Sequence, residues 1–314
     1  MRGGRCMKWL NLLLIGGGVV LYAEAIKPIP ERLPVDRDKA SLGKMLFADP
    51  ILSKDGTVSC MTCHNLADGG DDGLRYSFGI RGQQGHINAP TVYNAVFNFR
   101  QFWDGRAKDL KEQAIGPIVN PVEMGNDMPT VVERLQKNPT YRRKFNDIYS
   151  DGVTPDNIAD AIATYEKTLI TPNSPFDRYL KGDSNAISDQ AKEGYRLFKV
   201  KGCIICHNGM NVGGNLYNKF GIYKDANSSS LGRYAITKRE SDKYVFKVPS
   251  LRNVALTAPY MHDGRIRTLR EAVKFMSQYQ LGRYITEEEI SAIEAFLRSL
   301  TGVPNANRQQ GESP

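Results

Sequence analysis

Cys60-Met61-Thr62-Cys63-His64 and its copy Cys203-Ile204-Ile205-Cys206-His207 decide how the chain is read. Each is a C-x-x-C-H run, in which two thiols can add to the two vinyl groups of one porphyrin. The next residue then offers an imidazole to the iron as proximal ligand. Two other readings compete. A dithiol redox pair has no use for the adjoining histidine, and a zinc ribbon places its second C-x-x-C about 15–20 residues on. Here Cys203 follows Cys63 by 140 positions, too far for one compact ribbon. The motifs predict two covalently bound haem c groups, one on Cys60, Cys63 and His64, the other on Cys203, Cys206 and His207.

Outward from the motifs, the chain repeats itself. Gly43-Lys44-Met45-Leu46-Phe47 precedes the first and Gly194-Tyr195-Arg196-Leu197-Phe198 the second. Downstream, Pro90-Thr91-Val92-Tyr93-Asn94 matches Pro249-Ser250-Leu251-Arg252-Asn253 at an offset of 159. At the same offset Trp103-Asp104-Gly105-Arg106 matches His262-Asp263-Gly264-Arg265, and Leu110 and Glu112 match Leu269 and Glu271. A constant offset over so many positions means two copies of one unit. The expected organisation is a signal over 1–25, an N-terminal domain over 26–172, a C-terminal domain over 173–304 and a polar tail over 305–314. The boundary falls within 171–188, where Pro172, Pro175, Gly182 and Asp183 interrupt the helical pattern.

The signal is read from Arg2, Arg5 and Lys8, an apolar stretch over 9–22, and Ala23-Glu24-Ala25 as an A-x-A cleavage site. With 14 residues, among them Asn11 and three glycines, the stretch is short for a membrane span, though an uncleaved anchor is the alternative. Export to the periplasm suits haem attachment. Cys6 leaves with the signal, and the remaining four cysteines are used by two haems, so no disulfide is expected. Removing the signal lowers the net charge from +8 to +6, enough to steer a charged protein partner but too diffuse to argue for nucleic acid.

Helices dominate the expected fold: mostly α, two tandem cytochrome c-like haem domains with long loops. Thr154-Pro155 opens one helix, with Ile158, Ala161, Ile162, Tyr165 and Leu169 on its apolar face. Thr286-x-x-Glu289 opens its counterpart, carrying Ile290, Ile293, Leu297 and Leu300 and stopping at Gly302. Thr268-x-x-Glu271 caps a third, with Leu269, Ala272, Val273 and Met276 inward. The stretches 68–85 and 209–227, rich in Gly, Asp and Asn, read as loops, and no continuous strand signal is present.

After the signal the histidines are His64, His86, His207 and His262. Met276 follows the second haem motif on an apolar face, as a distal thioether would, although Met on such a face also serves as plain core. The position 159 earlier holds Pro117, so the two irons are not coordinated alike. A His/Met iron is closed and suited to electron transfer, whereas an iron without a sixth protein ligand can take a substrate.

At this point the chain resembles the bacterial di-haem cytochrome c peroxidases, whose relatives include di-haem enzymes that oxidise tryptophan side chains of partner proteins. The resemblance spans essentially the whole mature chain. It rests on the two haem motifs, Asn88-Ala89-Pro90-Thr91, Gln101-Phe102-Trp103-Asp104-Gly105-Arg106, Pro121-Val122-Glu123-Met124, Ser174-Pro175-Phe176-Asp177 and Ala258-Pro259-Tyr260-Met261-His262. It implies Met276 as sixth ligand of the C-terminal haem, Glu123 as distal acid–base residue, Gln113 as a polar neighbour of bound peroxide, and Trp103 as an indole between the haems. It also implies calcium between the domains, held by Asn88 with the backbone carbonyls of Thr257 and Pro259. Where many relatives carry a histidine that closes the N-terminal iron at rest, this chain has Ile80. Either that site is open, or His86, six residues on, fills it; His86 also reads as an ordinary loop imidazole. His262 is expected to hydrogen-bond near the second haem.

The implied function is periplasmic reduction of hydrogen peroxide to water, with electrons from a small cytochrome c or cupredoxin, by what the resemblance implies is a homodimer. The alternatives are a di-haem oxidase that modifies tryptophan or tyrosine of a partner protein, and a non-enzymatic two-haem electron carrier. The carrier predicts a sixth protein ligand on both irons.

Overall fold

The computed structural model describes residues 25–304; the expected signal, apart from Ala25, and the polar tail over 305–314 lie outside the described residues. In chain order the helices are α1 (Arg37–Ala48), α2 (Cys60–Cys63), α3 (Leu110–Val119), α4 (Met128–Lys137), α5 (Pro139–Ile148), α6 (Pro155–Glu166), α7 (Pro175–Leu180), α8 (Asp189–Val200), α9 (Tyr234–Thr237), α10 (Leu269–Phe275) and α11 (Glu287–Arg298). The fold is mostly helical, built from two cytochrome c-type domains. Among the described residues, no helix is long and apolar enough to cross a membrane.

The repeat is visible in how helices cross. In the first copy α1 lies on α6, and in the second α8 lies on α11. Each crossing is close because one helix offers a glycine. A Cβ on Gly43 would fall 1.9 Å from the carbonyl oxygen of Ala161, and one on Gly194 would fall 1.8 Å from that of Ala292. One turn on, Phe47 meets Tyr165 edge-on at 5.4 Å, and Phe198 meets Phe296 at 5.0 Å. Each crossing is buried in its own apolar core. Leu42, Leu46, Val131, Leu135, Phe145, Ile158 and Ile162 form one, and Phe176, Tyr195, Ile290, Ile293 and Leu300 belong to the other.

The caps expected from local sequence are present. The Thr154 hydroxyl accepts from Asn157 N at the start of α6, while Thr268 with Glu271 and Thr286 with Glu289 form capping boxes on α10 and α11. The ends differ from expectation. The helix α6 stops at Glu166, before Leu169, and α11 stops at Arg298, before Gly302. Remote partners take over there: Leu169 O and Leu300 O accept from the N–H groups of Asn94 and Asn253, and Gly302 N–H donates to Asn253 Oδ1. These two asparagines are repeat equivalents, both left-handed (φ 62° and 60°), and both bond Thr171 in the chain that joins the copies.

Two expectations need correction. The stretch 209–227 is not wholly loop: β1 (Tyr217–Lys219) pairs antiparallel with β2 (Val245–Lys247), Asn218 opposite Phe246. Three residues are too few for alternation to register in sequence. The opening segment 26–29, assigned by chain order to the N-terminal domain, packs with the C-terminal core. Ile26 bridges Gly209, Ile29 N–H donates to Asp177 Oδ1, and Arg252 donates to Lys27 O. Arg252 and Asp177 form a fully buried ion pair at 2.8 Å that anchors this crossing.

Candidate active site

Each haem motif sits beside the crossing of its own copy. The residues of α2 carry Cys60 and Cys63 on one helical turn, and Cys203–Ile205 forms a matching 3-10 turn. His64 Nδ1 lies 3.1 Å from Gly70 O and His207 Nδ1 lies 3.3 Å from Val212 O. A carbonyl only accepts, so Nδ1 carries the proton in both rings and Nε2 is left as the free lone pair. Burial lowers the pKa of both rings, that of His207 to about 4, so each is the neutral imidazole a metal requires. Phe47 and Phe198 flank the two imidazoles, each at 6.4 Å. Burial pushes the Cys63 and Cys203 thiols up to about 11, against the lowered values of a reactive dithiol pair.

A cavity of about 250 Å³ opens over the second motif, with Cys203, Cys206, His207, Ile293, Leu297 and Met276 in its wall. The apolar lining, paired thiols and facing imidazole fit a covalently held haem. Met276 was expected on the face of α10; it lies one residue past that helix and opens a π-turn, Met276–Gln280. Such turns widen the helix and recur at functional sites. Met261, left-handed at φ 74°, lines the same cavity, so it holds two thioethers.

Trp103 reaches into this cavity from the first copy. Its indole N–H donates to Asn88 O at 2.9 Å, and its own carbonyl accepts from Lys247 N. Its repeat partner His262 stands edge-on at 6.2 Å. His262 stacks on Phe246 at 4.2 Å, shares a hydrogen bond with Ser228 through Nε2, and is held neutral by burial, with a pKa near 4. Asn88, Thr257 and Pro259 line the same cavity.

On the side of the first motif, Ile80 N–H donates to Glu123 O at 2.8 Å. The contact is tight, since a Cβ on Gly79 would fall 1.9 Å from Val122 O. Ile80 is 3% exposed and packs in the N-terminal core, whereas His86 is exposed. Asn120 Nδ2 donates to Glu123 Oε1 at 2.6 Å. Burial raises the pKa of Glu123, with the charge of Arg106 and the Asn120 bond pulling the other way. Gln113 is half-buried on α3, one turn before Pro117.

The chain matches the di-haem cytochrome c peroxidase family model over residues 37–185 and the cytochrome c model over 191–301. It is 50% identical to cytochrome c551 peroxidase of Nitrosomonas europaea over 93% of this chain and 89% of that one. The chain belongs to the di-haem cytochrome c peroxidase family. A second family member, cytochrome c551 peroxidase of Pseudomonas aeruginosa, is 48% identical over 88% of this chain and 84% of its own. Among solved structures, a MauG-like protein associated with microbial copper homeostasis superposes with TM-score 0.76 at 26% identity, covering 88% of this chain and 93% of that one. Di-haem peroxidases are enzymes, and the family carries two haem c groups.

Two buried titratable groups of this peroxidase belong to no motif that marks them in the sequence. Lys247 lines the cavity, where burial lowers its pKa to about 8. Glu166 ends α6 at 4% exposure. The only signal for Glu166 was a charge on a face that is otherwise apolar.

Proposed function

We propose that this chain is a periplasmic peroxidase that reduces hydrogen peroxide to water with electrons from a small c-type cytochrome or cupredoxin. The observation that supports this most is the asymmetry of the two copies. Met276 stands on the wall of the cavity over the second motif, while its repeat position holds Pro117 and two hydrogen-bonded segments on the side of the first motif carry Ile80 and Glu123. One site is built to be closed by a thioether and the other to admit a small molecule.

Once bound, the haems supply electron storage and the iron at which the O–O bond breaks. The reaction is H2O2 + 2 H+ + 2 e− → 2 H2O, so the protein must deliver protons. Glu123, raised by burial, takes a proton from one peroxide oxygen and returns it to the other, which leaves as water. Gln113 orients the peroxide through its amide. Cys60, Cys63 and His64 hold the N-terminal group, and Cys203, Cys206, His207 and Met276 the C-terminal one. Trp103, fixed by Asn88 O and packed against His262, stands between the copies as the electron relay. The N-terminal unit, up to 172 but without the opening segment 26–29, and the C-terminal unit over 173–304, on which that segment packs, divide these tasks, the first peroxidatic and the second receiving electrons.

Asn88 suits a hard cation: it is buried, its Nδ2 is committed to Leu74 O, which leaves Oδ1 as an acceptor, and Thr257 and Pro259 line the same cavity. That arrangement supports calcium between the domains. The resemblance supports a homodimer, which sedimentation tests. The function is tested by steady-state peroxide reduction with a reduced small cytochrome c. An inactive protein with both haems loaded and both irons six-coordinate would be an electron carrier instead.

A further inference from the structure

Glu166 has a counterpart whose place is known. The close approach of Gly43 to Ala161 and of Gly194 to Ala292 aligns α6 with α11 without reference to side-chain identity. Five residues after each alanine stand Glu166 and Leu297. Leu297 lines the cavity that holds Cys203, Cys206 and His207. By the same geometry Glu166 belongs on the wall of the N-terminal haem site, and its charge does raise the pKa of the Cys60 thiol. The peroxidatic copy therefore carries a carboxyl where the other copy carries leucine.

This carboxyl is poorly satisfied. Glu166 Oε2 is buried with no hydrogen-bond partner among the described residues. An unpaired ionised carboxylate in such a place is costly, so the group stays protonated until a positive charge nearby favours ionisation. Burial alone lifts its pKa to about 8, within reach of neutral pH. The titratable groups that face it are few. Cys60, on α2, no longer titrates once its sulfur is a thioether. Tyr165, beside it on α6, has its hydroxyl pushed up to about 12, and Tyr93 faces Tyr165. None of these changes charge near neutrality.

We propose that Glu166 is the proton-storing carboxyl of the N-terminal haem site, binding one proton when that site gains an electron and releasing it when the electron leaves. The inference rests on the peroxidase reading, because the reaction consumes one proton per electron and a store at the site matches the two. The sign is fixed by charge. The more positive, oxidised site favours the carboxylate, and the reduced site favours the carboxylic acid. The potential of the N-terminal haem then falls as pH rises through the Glu166 window and is flat on either side. The C-terminal haem has Leu297 at the equivalent position, so any pH dependence it owes to Lys247 in its wall is independent of Glu166.

The test is spectroelectrochemical titration of both haems of the holoprotein against pH, in the parent and in Glu166→Gln, Glu166→Leu and Glu166→Asp. Glutamine keeps the size, and leucine copies the residue that the second domain uses, so loading is expected in both. The pH slope of the N-terminal potential should vanish in Glu166→Gln and Glu166→Leu and return in Glu166→Asp, with the C-terminal slope unchanged throughout. A parental slope retained in Glu166→Gln overturns the inference, as does a parent with no slope. Either failure leaves the peroxidase reading standing if the parent still turns over peroxide, whereas loss of that activity in the parent removes the reading itself.

Discussion

The backbone N–H of Ile80 donates to the carbonyl of Glu123, so the loop that follows the first haem motif is pinned to the residue proposed to move protons there. Ile80 has no atom that binds iron. With Ile80 packed in the core and His86 exposed, the resting N-terminal site is expected to be open. The fully oxidised protein should contain one high-spin haem and bind cyanide without prior half-reduction, and His86→Ala should leave both properties unchanged. Ile80→His should convert the resting haem to low spin. Two low-spin haems in the parent, with one turned high-spin by His86→Ala, would show that His86 swings onto the iron.

Glu123→Gln preserves size and the contact with Asn120 while removing the proton shuttle. Turnover should fall by about 10²–10⁴ with both haems still loaded. The pH profile gives a second readout. The working form is the carboxylate, and burial raises the pKa of Glu123, so turnover is lost as pH falls through that raised value. This acid limb should lie above the ordinary glutamate range in the parent and be missing from the residual activity of Glu123→Gln. Unchanged turnover would remove Glu123 from the mechanism.

Met276→His should abolish the sulfur-to-iron charge-transfer band and lower the potential of the C-terminal haem, because imidazole stabilises ferric iron better than thioether does. Persistence of the band would shift the assignment to Met261, which lines the same cavity.

Asp177→Asn should lower stability by about 3–5 kcal/mol, since it strands the buried guanidinium of Arg252. Denaturant unfolding of the holoprotein measures this. Asp177→Leu combined with Arg252→Met should recover much of the loss, because an apolar pair leaves no unpaired charge. If the single variant is neutral, the pair does not anchor the opening segment.

The covalent logic of the haem sites was legible because it is local. Three residues within five positions define each attachment, and an offset repeated along the chain reveals the duplication whatever the packing. The helix starts were legible for the same reason: Thr154, Thr268 and Thr286 cap backbone groups three residues away. The helix ends were not, because α6 and α11 hand their next carbonyls to Asn94 and Asn253 from distant segments.

By itself, then, the sequence determined two haem-binding units of helical type and the inequality between Met276 and Pro117, all of them properties of short stretches or of one stretch compared with another. Only the tertiary structure decided that Ile80 and not His86 lies beside Glu123, that Trp103 meets His262, that residues 26–29 pack on the C-terminal core, and that Glu166 is buried. Each depends on which remote segments exclude water together, and burial is what fixes Ile80 in the core, away from any role as a ligand, and turns an ordinary glutamate into a group whose pKa is pushed up to about 8.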